Sequence, residues 1–173
     1  MSVGGLKTES SKGWIVPAWR YAKITAAHKF YVALAGVRIG CPFWRLLTHD
    51  LSKFGRYELV HYGRQFFGEA DQPGNFERCW VHHQNNNDHH WEYWISRVKY
   101  DQNGGVDKIL PMPENAIREM VADWFGASRA YEGKWPDRES WTWFEENFRK
   151  IKLHPKTKKR VEEIVEKALG GSW

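Results

Sequence analysis

Apolar residues recur at intervals of three and four through Ile24, Ala27, Tyr31, Leu34 and Ala35, which predicts a helix from about Trp19 to Val37. Gly36, Gly40 and Pro42 punctuate this stretch and are expected to end it. A short apolar segment, Phe43 to Leu47, leads into His49 and Asp50, which are expected to begin a second helix running to Phe67. Gly68 to Gly74 reads as loop. From Phe76 to about Arg97 apolar and polar residues alternate around Trp80, Trp91 and Trp94, and the weak helix-forming run NNND at 85–88 kinks or breaks the segment. Residues 99–113 hold DQNGG and two prolines and read as loop. Pro113 and Glu114 start a strong helix to about Ala130, with Ile117, Met120, Val121 and Trp124 on one face. A further helix is predicted over Trp135 to Ile151, and Pro155 opens the last, to Leu169. No run alternates for the length of a strand, and no internal repeat is present. The expected fold class is all-α: about six or seven helices in a single domain over residues 14–173, preceded by a flexible polar segment, 1–13.

Composition sharpens this picture in three ways. The 173 residues include 11 Trp, which points to a core built from rings or to a ring-lined cavity, the core being the expectation. A net charge of +5 is spread along the chain, so the surface tolerates anionic partners without the basic arm of a dedicated nucleic-acid binder. Only Cys41 and Cys79 occur, without metal-type spacing, and are expected as reduced, buried thiols. No signal-peptide run and no stretch of membrane-spanning length is present, so the expected location is the cytoplasm, that of the host if a phage encodes the chain.

The chemistry concentrates in histidines and aspartates. His49 and Asp50 follow the apolar pair Leu46 and Leu47, where a carboxylate and an imidazole need partners against a desolvation cost of several kcal/mol. His28 lies on the first helix, His82, His83, His89 and His90 crowd into "WVHHQNNNDHHW", and Asp123 sits in the apolar "EMVADWF". Each has an ordinary structural explanation alone: a hydrogen-bonded core histidine, a solvated HH pair, an ion pair of Asp123 with Arg118 or Arg129. Four helical segments each contributing His or Asp are better explained by a metal ion that satisfies them together. Asp50 can bridge two ions because a carboxylate has two oxygens. Imidazole and carboxylate without thiolate favour one or two divalent ions of Mn, Fe, Co, Ni or Zn. Lys53, three residues after Asp50, overlooks the pair if the helix continues.

The order H…HD…D resembles that of the HD metal-dependent phosphohydrolase superfamily, which implies an HD-domain-like helical bundle. "HDLSK" is similar to the HDxGK-type segment of its two-metal members, with Ser52 where those often carry Gly. A closer resemblance runs over nearly the whole chain from His28. "HKFYV", "HDLSKF", "HQNNNDHHW", "MPENAIREMVADWFGASRA" and "LHPKTKKRVE" look like a domain-of-unknown-function family of bacteria and their phages. Carried over residue by residue, it implies His28, His49, Asp50, Lys53, Glu58, His83, Asn87, His89, His90, Glu119 and Asp123. His82 and His61 fall outside its motifs.

These observations assign metal binding to His28, His49, Asp50, His83, His90 and Asp123, and catalysis to Asp50, Lys53 and Glu58. Lys53, Arg56, Asn87, His89, Trp91 and Glu119 are assigned to an anionic small-molecule substrate. The function expected is phosphoester hydrolysis by metal-activated water, on a nucleotide or related small phosphate. The same ligands also suit a dinuclear iron oxygenase. A third alternative, a non-catalytic nucleic-acid binder, rests on "FRKIK" at 148–152 and "KKR" at 158–160, where Glu162, Glu163 and Glu166 make a mixed solvated face the simpler explanation.

Overall fold

The computed structural model describes residues 13–68, 72–97, 107–171 and 173. The segment expected to be flexible, 1–13, lies outside the described residues apart from Gly13, as do 69–71 and 99–106 of the two expected loops, and residue 98. Seven α-helices run among the described residues: α1 (Ile15–Ile39), α2 (Phe43–Thr48), α3 (Arg56–Phe67), α4 (Asn75–Asn86), α5 (Glu114–Tyr131), α6 (Thr142–Asn147) and α7 (Pro155–Leu169). Together they form one compact helical domain. None is long and apolar enough to cross a membrane.

The scaffold is α1 laid along α5, with α3 on one side and α7 closing the other. Val32, Ala35 and Ile39 of α1 meet Ala116, Ile117, Met120, Val121 and Phe125 of α5 and Val161, Ile164 and Val165 of α7, all buried. The two long helices are in close contact at Gly126, where a Cβ would stand 2.5 Å from Val32 Cγ2. That approach presents the inward faces of α1 and α5, with His28 and Asp123, to the same interior space. The core proper is mostly aliphatic, contrary to the expectation of one built from rings. Of the eleven Trp only Trp141 is fully buried; Trp91, Trp94, Trp124, Trp135 and Trp173 are half-buried and pack around the aliphatic core.

Several boundaries differ from the sequence-based ones for identifiable reasons. Gly36 does not end α1; it lies inside the helix beneath the Leu46 side chain, and the stop falls at Gly40, in the left-handed region at φ 78°. The second predicted helix is broken. His49 and Asp50 lie between α2 and a 3-10 turn, Leu51–Phe54, and α3 starts only after an extended Gly55. NNND does end α4, at an extended Asn87, and a 3-10 turn follows at Trp91–Trp94. Residues 107–109, expected as loop, form β2 (Asp107–Ile109), antiparallel to β1 (Ile95–Arg97) with Ile95 opposite Ile109. Three-residue strands are too short to carry a readable alternation. The helix predicted from Trp135 begins at Thr142, because Asp137 Oδ1 accepts from the Glu139 and Ser140 amides and holds a turn there.

Candidate metal centre

Asp50 occupies an unusual backbone position. It is the single non-glycine residue with positive φ among the described residues, at 54°, a region that aspartate tolerates better than most residues. The left-handed step turns the chain sharply after α2 and sends the carboxylate inward, where it is fully buried. Lys29 of α1 holds the turn. Its ammonium donates to the carbonyls of Leu46 at 3.2 Å, Leu47 at 2.8 Å and His49 at 2.7 Å, which ties the end of α2 to α1 beside His28.

The two oxygens of Asp50 face two groups of histidines. Oδ2 lies 3.7 Å from His28 Nε2 and 3.5 Å from His49 Nε2; Oδ1 lies 3.3 Å from His83 Nε2 and 3.5 Å from His89 Nε2. Asp123 reaches the first group from α5, with Oδ1 2.9 Å from His28 Nε2. His90 reaches the second, with Nε2 3.0 Å from His83 Nε2. Two sets of four therefore each offer ligand atoms within 4.8 Å of one another: His28, His49, Asp50 and Asp123, and Asp50, His83, His89 and His90. Asp50 belongs to both.

Behind the imidazoles stand two buried glutamates. Glu58 Oε2 accepts from His83 Nδ1 at 2.9 Å, and its Oε1 meets His82 Nδ1 at 2.9 Å. Glu119 Oε1 lies 2.9 Å from His49 Nδ1 and 3.2 Å from His89 Nδ1. The Nδ1 of His49, His83 and His89 is thus pinned while the Nε2 faces Asp50, the arrangement by which carboxylates orient histidine ligands and raise their basicity. Ser52 Oγ donates to Glu58 Oε2 at 3.2 Å, which gives the Ser in "HDLSK" a definite task. Glu119 is held in turn by buried Arg45, which also binds Asp88.

The charges are strongly perturbed. Burial alone would push the His49 imidazole down, but Asp50, Asp123 and Glu119 outweigh it and hold it up at about 10. Burial likewise opposes ionisation of Asp50, yet His49 and Lys53 keep its carboxyl well below the usual range. Asp123 is also held far down, burial being outweighed by the neighbouring His28 and His49 imidazoles, and Glu119 sits at about 2. Burial and the neighbouring histidines push His90 down to about 2, so His90 is neutral and accepts from His83, whose proton Asp50 and Glu58 stabilise. Even so, His49 Nε2, His89 Nε2 and Asp50 Oδ1 remain buried without a hydrogen-bond partner. Orphaned buried groups of this kind cost about 1–3 kcal/mol each. Imidazole nitrogens and carboxylate oxygens facing one another, with no thiolate, fit a first-row divalent ion at each group.

Most sequence-predicted residues converge here, though not always in the expected place. His89, assigned to substrate, points at Asp50 with the ligand candidates, because the break at Asn87 turns it inward. Glu58 and Glu119 stand behind the histidines rather than on the cavity, and Asn87 Nδ2 donates to Ser52 Oγ and the His83 carbonyl. Lys53 lies 2.6 Å from Asp50 Oδ2, an ion pair that outweighs burial and keeps the ammonium protonated. Arg56 is not brought to the site; it lines a separate surface depression with Trp14, Tyr57, Val60, His61 and Arg64. Asp123 pairs with His28, while Arg118 and Arg129 bond the Ile39 and Gly133 carbonyls. Lys29 and Arg45 were missed. Lys29 was legible in "HKFYV"; Arg45, inside an apolar run, carried no signal.

A model of a family of unknown function, DUF5662, matches residues 17–167. The chain belongs to the DUF5662 family. The match spans all of the DUF5662 chain that builds the site, from His28 to Asp123. No curated protein and no solved structure matches it.

A cavity of about 460 Å³ opens against the second histidine group. His89, His90 and Asp123 form its floor, and Trp80, Trp91, Trp124 and Trp143 its walls, with Asn147 and Lys150 also lining it. Trp91, assigned to substrate from the sequence, is thus placed where a ligand at the site would meet it.

Proposed function

We propose that this DUF5662 chain is a metal-dependent phosphohydrolase acting on a small phosphoester that carries a flat ring, as a nucleotide does. The observation that carries this reading is Asp50, one buried carboxylate common to two sets of four ligand candidates. The residue order H…HD…D, resembling the HD phosphohydrolases, and the adjacent ring-lined cavity support it.

When bound, a pair of divalent ions supplies an activated water and offsets charge on the phosphoryl oxygens. The chain's own residues have separate tasks. Asp50 presents one oxygen to each histidine group, and Glu58 and Glu119 fix the ring orientations from behind. Lys53 keeps its proton across the neutral range and places a fixed positive charge beside Asp50, where it holds a phosphoryl oxygen. The Trp walls exclude water around the ring of the substrate and stack on it.

The test is elemental analysis of protein purified without chelator, followed by anaerobic assay on phosphomonoesters and phosphodiesters with Mn or Co. Stoichiometric metal and phosphate release without oxygen are expected. A blank panel, with iron as the purified metal and oxygen consumed, would replace this reading with a dinuclear iron oxygenase. Tight nucleic-acid binding with neither turnover would replace it with a binding module.

A further inference from the structure

We propose that α1 is a dimer seam through which two copies of this chain pack antiparallel, centred on Ala26 and Ala27. The helix is 25 residues long, and its buried face, Tyr21, His28, Val32 and Ala35, looks into the domain. The opposite face carries Val16, Trp19, Phe30, Leu34 and Val37, each 47–69% exposed. With Lys23, Ala26 and Ala27 these positions follow one another at steps of three and four on either side of the Ala26–Ala27 pair, so they form a single stripe along the helix. A stripe of large apolar side chains on a surface helix marks an interaction site rather than a solvated face.

The order of residues in the stripe selects the occupant. Read outward from the Ala26–Ala27 midpoint it is self-complementary: Lys23 answers Phe30, Trp19 answers Leu34, and Val16 answers Val37. A twofold antiparallel pairing brings those partners together, since residue i then meets j and j meets i. The alanines at the axis let the backbones approach, and the Lys23 ammonium lies over the partner copy's Phe30 ring. A parallel pairing instead opposes Lys23 with Lys23, which is repulsive. The area also suffices. Beside α1, α2 adds exposed Phe43, Trp44 and Leu47, and eight large side chains at about half exposure offer roughly 700 Å². Specific interfaces take roughly 600–1,000 Å² per partner. The cavity lining comes from α4 to α6 and the adjoining turns, so this pairing leaves it open.

Sedimentation velocity on the full chain at micromolar concentration tests the seam. The expected species has twice the 20.4 kDa mass of the chain. Leu34→Glu, at an exposed position, is expected to be monomeric with an unchanged helical circular-dichroism signal. The register is read by oxidising a mixture of Trp19→Cys and Leu34→Cys: the mixed cross-link is expected, and Trp19→Cys alone stays uncross-linked. A monomer at every concentration overturns the proposal, as does a dimer that Leu34→Glu leaves intact. Cross-linking of Trp19→Cys to itself overturns the antiparallel register. A chain that dimerises only after residues 1–12 are deleted also overturns it, because the stripe would then belong to the chain's own N-terminal segment.

Discussion

Glu58 and His83 are locked together: Glu58 Oε2 lies 2.9 Å from His83 Nδ1, which leaves His83 Nε2 to face both Asp50 Oδ1 and His90. Glu119 does the same for His49 and His89. The two glutamates divide the site, one serving only the second group and the other serving both. Glu58→Gln, which keeps the shape and loses the charge, is therefore expected to weaken one of two bound ions by about 10–100-fold and spare the other. Chelator competition followed by metal counting reads this directly. Equal loss of both ions would mean that Glu58 supports the fold and not a particular site.

Asp50 is the shared residue, so its replacement should not spare either ion. Asp50→Asn retains the size and the tolerance of the left-handed backbone while removing the carboxylate charge. Bound metal is expected to fall close to zero in the purified variant, with circular dichroism unchanged. A variant that still carries a full metal complement would remove the bridging role.

Lys53 pairs with Asp50 at 2.6 Å, and the two charges support each other in a dry environment. Lys53→Met strands the carboxylate, which should cost the chelator-stripped protein about 3 kcal/mol. The loaded protein should lose much less, since bound cations neutralise Asp50 in its place, while turnover falls. Urea midpoints with and without chelator separate these cases. An equal loss in both conditions would make Lys53 a purely structural partner.

The stripped protein should also respond to pH in a defined direction. His49 is raised from 6.5 to about 10 in the folded chain, so its contribution is full below pH 6.5 and is lost as pH climbs towards 10. Glu119 is lowered from 4.5 to about 2, so its contribution is present above pH 4.5 and is lost as pH falls towards 2. His90 is lowered from 6.5 to about 2, so it costs stability as pH falls below 6.5, and the stripped protein is expected to be most stable at about pH 6.5. Metal binding must displace the His49 proton and should tighten as pH rises. A stripped protein whose urea midpoint rises between pH 7 and 9 would contradict the charge assignment.

If the cavity receives the ring of a substrate, truncating its wall should be felt only by substrates that carry a ring. Trp91→Ala is expected to lower kcat/KM for an aryl or nucleoside phosphoester by about 10-fold, the loss of one stacking contact. An alkyl phosphoester should be turned over as before, and metal content should not change. Equal losses on both substrates would assign Trp91 to packing.

What the sequence determined by itself was the helical frame and the residues of the site. The spacing of apolar residues in α1 and α5 and the prolines at the starts of α5 and α7 are local signals, and local signals survive in one dimension. His28, His49, Asp50 and Asp123 were legible because charged groups embedded in apolar runs need a reason to be there. Tertiary structure alone decided how they meet. The break at Asn87 and the left-handed step at Asp50 are set by packing, and they bring His83, His89 and His90 onto one carboxylate. Arg45 and Lys29 work through partners about 20 or more residues away, Glu119 and the end of α2, and no sequence spacing encodes such a reach. The eleven Trp announced rings, but whether they filled a core or walled a cavity depended on which helix faces the aliphatic residues had already taken.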